Sequence, residues 1–204
     1  MMAVDWEKVE QKKVETLLEE INPHIEPVPF NNETTTIRTK DLKFYSDLKF
    51  LELTDLSAVP SVRKYALYKK GDVNVVNWTN QTIYDTNEKN DLILNEKTVT
   101  DYVRFFFNYV RGRHGRFLII EAVDDIKWQS EPPPQGRKVI QEMIQPIVVT
   151  SHDSDGTYNL DAFMIFKDSL FKAIVHVQKD GVVSLSDEEL KIEGMPIIPD
   201  ASNI

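Results

Sequence analysis

Residues 96–111, with the sequence EKTVTDYVRFFFNYVR, decide the fold expected for this chain of 204 residues. The segment has the 3.6-residue periodicity of an α-helix, and Asn95 and Gly112 are residue types that favour its two ends. Its inward stripe is widened by aromatic rings until the helix is apolar on nearly every side: Val99, Tyr102, Val103, Phe106 and Val110 form the stripe, and Phe105, Phe107 and Tyr109 widen it. Such a helix is usually enclosed by the fold, so we expect it at the centre of the core.

Segments with strand patterns lie on both sides of this helix. The predicted strands are 43–54, 65–78, 117–123, 147–150, 157–166, 170–177 and 182–185, with loops at 79–91 and 131–136 and a short helix at 137–145. Short turns separate the last three strands, which is typical of an antiparallel meander. The element order therefore predicts an α+β fold, in which a curved, mostly antiparallel sheet packs around the Phe-rich helix.

This layout resembles the cystatin-like and NTF2-like rolls. The resemblance rests on the order of the elements, and no sequence motif carries it. It implies a pocket between the sheet and the helix. Folds of this kind include enzymes, ligand carriers and dimeric adaptors.

The rest of the chain divides into four expected segments. Residues 1–22 form an amphipathic helix, 23–41 a linker or loop, 42–195 a single α+β domain, and 196–204 a loosely held tail. Prolines and a polar run indicate the linker. The apolar stripe of the first helix either packs on its own domain or docks on a partner, and packing is the commoner use of such a stripe.

Composition excludes several classes of protein. The chain has 24 Lys+Arg against 33 Asp+Glu, a net charge of −9, and no cysteine. Disulfide frameworks, thiolate zinc sites and cysteine nucleophiles are therefore excluded. The negative charge disfavours nucleic-acid and membrane partners, and no motif predicts a cofactor. Without a recognisable signal or spanning segment, the sequence predicts a cytoplasmic protein.

One locally positive segment stands out in this acidic chain. Four of the seven arginines lie between 104 and 116, and the run Arg111-Gly112-Arg113-His114-Gly115-Arg116 predicts an anion site or a docking patch for an acidic partner. The candidate ligand-binding residues are Arg111, Arg113, His114 and Arg116. Two alternatives stay open: cations stabilise a helix C-terminus, and arginines pair with carboxylates elsewhere. The negative end of the helix dipole also opposes anion binding.

Asp161 and His176 are the candidate catalytic bases, because each interrupts a strand pattern of apolar residues. The other interpretation, an outward and solvated position, is the commoner one for such residues. Glu121 has the same two interpretations and could pair with a preceding arginine. The run 152–156 fails as a calcium loop, because Ala162 stands where a bidentate Glu is required. The sequence predicts no metal site.

Two functional hypotheses follow. The first is a non-enzymatic domain that binds an unknown small anionic ligand or a protein partner, which could be a second copy in a homodimer. The alternative is a small cofactor-independent enzyme with a pocket between helix 96–111 and the sheet. It would act on an anionic small molecule, with Asp161 or His176 as base and Arg113 or Arg116 holding the anionic group.

Overall fold

A computed structural model describes residues 6–198, which form two compact units. Unit 1 contains 6–77 and 81–93, and unit 2 contains 78–80 and 94–198. Each unit has its own antiparallel sheet, and neither sheet closes into a barrel. The prediction of an α+β class with curved antiparallel strands is confirmed, but the strands are shared between two sheets.

Unit 1 consists of a five-stranded sheet with helix α1 (Gln11–Ile21) packed on one face. The strands follow one another in chain order: β1 (Glu7–Lys8), β2 (Thr35–Asp41), β3 (Lys49–Asp55), β4 (Val62–Lys69) and β5 (Asp72–Val76). Val14, Leu18 and Ile21 are buried against the sheet. The apolar stripe of α1 is thus the core of its own unit. The helix begins later than expected, because Glu7 and Lys8 pair with β2.

Two predicted loops contain regular structure. The expected linker 23–41 contains strand β2, in which Thr35 and Ile37 point into the core. The expected loop 79–91 is helix α2 (Asn80–Lys89). Both predictions were wrong because the segments are polar in composition, whereas the apolar contacts that order them come from distant residues. In α2, Ile83 and Thr86 are the fully buried residues that form its side of those contacts.

Unit 2 contains the predicted meander. Strands β8 (Tyr158–Phe166), β9 (Ser169–Val177) and β10 (Val183–Ile192) are consecutive neighbours, with β6 (Leu118–Ile119) and β7 (Val148–His152) both paired to β8. The turns are where the sequence predicts them, with Lys167 and Gly181 at positive φ. The expected strand 117–123 is reduced to β6. Helix α4 (Pro134–Met143) begins within the proline run.

Helix α3 (Thr98–Tyr109) is enclosed as predicted, since Val99, Tyr102 and Val103 are fully buried and its three phenylalanines are also buried. The Asn95 carboxamide oxygen accepts hydrogen bonds from the backbone N–H groups of Lys97 and Thr98, at 2.9 and 3.1 Å, and so caps the N-terminus. The expected C-terminal role of Gly112 is wrong, because the helix ends at Tyr109 and the chain is already extended at Val110.

The start of the expected tail is held by the fold. Ile197 is buried and bridges to Trp128, and the N–H of Ile198 donates to the Lys127 carbonyl at 2.8 Å. Residues 199–204 of the predicted tail lie outside the described residues. Between residues 6 and 198, no helix is long and apolar enough to span a membrane.

The packing of α1 gives a first prediction. Replacing Leu18, which is 3% exposed, by alanine leaves a cavity between the helix and the sheet, so Leu18→Ala should lower the free energy of unfolding by about 2–5 kcal/mol. Urea unfolding followed by circular dichroism measures the loss. The exposed neighbour Glu15 provides the control, and a Leu18→Ala variant as stable as Glu15→Ala would contradict this packing.

Candidate functional site

Residues 111–116 form a short loop that we call the cationic hairpin. Gly112 and Gly115 are joined by two backbone hydrogen bonds, of 2.9 and 3.2 Å, each N–H donating to the carbonyl of the other residue. Arg113 and His114 therefore occupy a two-residue turn, and both are exposed. Neither forms a hydrogen bond or an ion pair with any residue in the described range 6–198. The hairpin thus presents two uncommitted polar side chains at its tip.

The base of the cationic hairpin is held by Trp78. The guanidinium carbons of Arg111 and Arg116 lie 5.9 and 5.7 Å from the centre of the Trp78 ring, within the range of a cation–π contact. The backbone N–H of Arg111 also donates to the Trp78 carbonyl at 2.8 Å. Trp78 itself has φ of 68°, a strained value for a non-glycine residue. Two of the four predicted anion-binding residues thus share one aromatic ring.

The four clustered arginines have different roles. Arg116 donates from Nη1 to the carbonyl of Asn108 at 2.6 Å, which caps the last turn of α3. Arg104 binds Glu121 through two hydrogen bonds of 2.8 Å and contacts Asp101 at 2.9 Å. The interpretation that these arginines pair with carboxylates or stabilise the helix end therefore holds for Arg104, and it explains the Nη1 contact of Arg116. It explains nothing about Arg113.

The Arg104–Glu121 pair changes the acidity of the carboxyl group. Partial burial by itself would raise the pKa of Glu121, but the hydrogen bonds and charge of Arg104 outweigh it, helped by the backbone N–H of Ile147. The net effect is a pKa below the usual value. Glu121 is therefore an ion-pair partner, and the same contacts make it a poor general base.

Asp161 is likewise committed to a neighbour. Its Oδ2 lies 2.6 Å from Nζ of Lys172, on the adjacent strand β9, and this contact raises the pKa of Lys172. Within residues 6–198, no hydrogen bond or ion pair joins Asp161 to His176 or to the cationic hairpin.

His176 lies between the fully buried Val175 and Val177, so its side chain occupies the opposite face of the sheet, where it is half-buried. Its Nδ1 is 2.6 Å from Oδ1 of Asn159, and its Nε2 is 2.7 Å from Oγ of Ser186. Sequence reasoning found His176 but missed Asn159, Ser186 and Trp78. No local signal identifies them, because each meets its partner only through strand pairing or chain reversal.

Other regions of the described chain give little support for a ligand site or a metal site. A surface cavity of about 590 Å³ in unit 1 is bordered by Leu18, Asn22 and Phe30, and contains none of the predicted site residues. In the described part of the chain, no group of three or more histidine and acidic side chains could hold a metal ion.

The chain matches no protein-family model, and comparisons with curated proteins and with solved structures give no significant match. The resemblance to cystatin-like and NTF2-like rolls therefore stays an analogy of layout.

The Glu121 pair predicts a pH-dependent stability. Because its folded-state pKa is depressed, the stabilisation is complete above the ordinary value of 4.5 and is lost as the pH falls through the folded-state pKa. The difference in unfolding free energy between wild type and Glu121→Gln should be constant near neutral pH and should shrink below about pH 4.5. Urea unfolding at several pH values measures it. The control is Glu142→Gln, at a residue with 67% side-chain exposure. Its free energy of unfolding should differ little from that of wild type at any pH.

The turn geometry predicts a glycine requirement. Gly115 has φ of 136°, and a methyl group there would lie 3.2 Å from the Phe166 ring. Gly115→Ala should therefore lower the free energy of unfolding by about 1–3 kcal/mol. Gly112→Ala is the matched control, because its methyl group would meet only the Gly115 carbonyl at 3.4 Å. Equal losses in the two variants would contradict the geometry.

Proposed function

We propose that the protein is a binding module that recognises an acidic segment of a partner protein through the cationic hairpin. The observation that carries this proposal is the exposed pair Arg113 and His114, held on a two-residue turn without a partner among residues 6–198. The proposal includes a cytoplasmic location and a chain without cofactor, both taken over from the sequence. A homodimer is one form it can take, because a second copy also carries acidic segments.

The pairing of the other arginines supports the proposal. Arg38 and Arg63 both contact Glu52, which is 5% exposed, and Arg137 contacts Asp124 and Glu131. Arg104 is bound to Glu121. In a chain with more carboxylates than basic groups, an arginine that remains unpaired is unusual. The Arg113 guanidinium keeps its full capacity for a two-point contact with a carboxylate.

The geometry favours a protein segment over a small molecule. Arg113 and His114 are exposed at the tip of a turn, so neither encloses a ligand. An exposed ion pair contributes about 0–1 kcal/mol, so useful affinity requires several carboxylates that contact the hairpin together. An acidic chain segment supplies them in series. The bond from Arg116 to the Asn108 carbonyl also reduces the unfavourable negative end of α3.

The enzymatic alternative has less support. It requires Asp161 or His176 to act together with Arg113 or Arg116, but Asp161 is ion-paired with Lys172, and the side-chain partners of His176 within residues 6–198 lie on strands β8 and β10 and not in the hairpin. No described contact joins either group to the hairpin. A pocket between α3 and the sheet remains a prediction.

A fluorescein-labelled peptide of ten glutamates tests the binding proposal. Fluorescence anisotropy at low salt should show that it binds the wild-type protein, and that the double variant Arg113→Ala/His114→Ala weakens binding by about threefold or more. Affinity should also fall as salt screens the contacts.

The matched control is Lys138→Ala, which removes one exposed positive charge from α4 and should leave binding unchanged. No binding of the peptide by the wild-type protein, or an equal loss in the control and in the double variant, would refute recognition by the hairpin.

A further inference from the structure

A row of hydrogen-bonded polar side chains crosses four neighbouring strands of unit 2. Ser151 of β7, Asn159 of β8, His176 of β9 and Ser186 of β10 are linked in that order. The distances are 2.8, 2.6 and 2.7 Å. A hydroxyl, an imidazole and an orienting amide in hydrogen-bond contact are the parts of an activated serine nucleophile.

The amide of Asn159 determines which nitrogen of His176 carries a proton. Its Nδ2 group donates both hydrogens, to Ser151 Oγ and, at 2.9 Å, to Asp153 Oδ2. Its Oδ1 is therefore an acceptor and requires a proton on Nδ1 of His176. The lone pair of the neutral ring then lies on Nε2, which faces the Ser186 hydroxyl. This is the tautomer that a general base needs.

The backbone at Ser186 departs from a regular strand. The register passes from Ser186 opposite Ile174 to Glu189 opposite Lys172, so Asp187 and Glu188 form a bulge. Asp187 has φ of 51°, a strained value. Asp187 Oδ2 also lies 2.9 Å from Ser186 Oγ and competes with His176 for the hydroxyl proton.

We propose that Ser186 is a nucleophile for ester hydrolysis, with His176 as its general base and Asn159 as the positioning residue. Ser186 Oγ attacks the ester carbonyl carbon while its proton passes to His176 Nε2. The carbon–oxygen bond to the alcohol then breaks, and the alcohol leaves with the proton from His176.

Water completes the cycle by attacking the acyl-serine through the same base, which releases a carboxylic acid and restores Ser186. The products are one acid and one alcohol for each ester and water consumed. The carboxylates of Asp153 and Asp187 beside the row disfavour a negatively charged substrate. The substrate class is therefore a neutral or cationic carboxylic ester.

The experiment uses the full-length protein with a fluorophosphonate probe and with p-nitrophenyl acetate. The probe should label Ser186, as located by peptide mass spectrometry, with loss of fluoride. Ser186→Ala should abolish labelling, and His176→Gln should slow it by about 10²-fold.

Ser184→Ala is the matched control, because Ser184 lies on the same strand directly opposite His176 but its hydroxyl forms no hydrogen bond with the imidazole. It should leave labelling and hydrolysis unchanged. Absence of labelling in the folded wild-type protein, labelling at another residue, or a rate unaffected by His176→Gln would each overturn the proposal. None of these outcomes bears on binding by the cationic hairpin.

Discussion

The hydrogen bond between Tyr102 and Gly181 organises unit 2. The Tyr102 ring is fully buried in α3, and its hydroxyl donates at 2.7 Å to a carbonyl in the turn between β9 and β10. An unpaired polar group at this depth would cost about 1–3 kcal/mol, so the contact fixes the helix against the sheet as well as filling the core. The cationic hairpin follows the end of this helix, and His176 and Ser186 lie on the two strands that flank the turn.

The distribution of charge separates structural arginines from available ones. Glu52 is a buried carboxylate and Glu121 a partly buried one, and each holds a guanidinium at short range. Burying such a carboxylate without a partner would be costly, so these arginines are required by the fold. The turn that carries Arg113 is closed by backbone hydrogen bonds between two glycines, so the fold does not require Arg113 as an ion-pair partner. The fold therefore positions the Arg113 side chain, and no carboxylate among residues 6–198 forms an ion pair with it.

Backbone strain marks the same two regions. Between residues 6 and 198, three non-glycine residues have positive φ: Trp78, Lys167 and Asp187. Lys167 lies in the tight turn between β8 and β9, which explains its conformation. Trp78 supports the base of the hairpin, and Asp187 forms the bulge beside Ser186. Strain of this kind persists where surrounding contacts hold the chain, and it concentrates at sites where a side chain must be aimed.

Local pattern by itself determined the elements whose apolar residues repeat at a regular interval: helix α3, the amphipathic helix α1 and the C-terminal meander with its turns. The cationic segment and His176 could also be identified, because unusual residue types stand out in the sequence. Helix α2 and strand β2 could not, since distant contacts order their polar residues.

Only the tertiary structure decided which of the candidate side chains are hydrogen-bonded or ion-paired within the fold. It tied Asp161 to Lys172, placed Trp78 under Arg111 and Arg116, and aligned Asn159, His176 and Ser186. The physical reason is that strand register and chain reversal bring together residues far apart in sequence, and a hydrogen bond depends on tenths of an ångström that no local periodicity encodes.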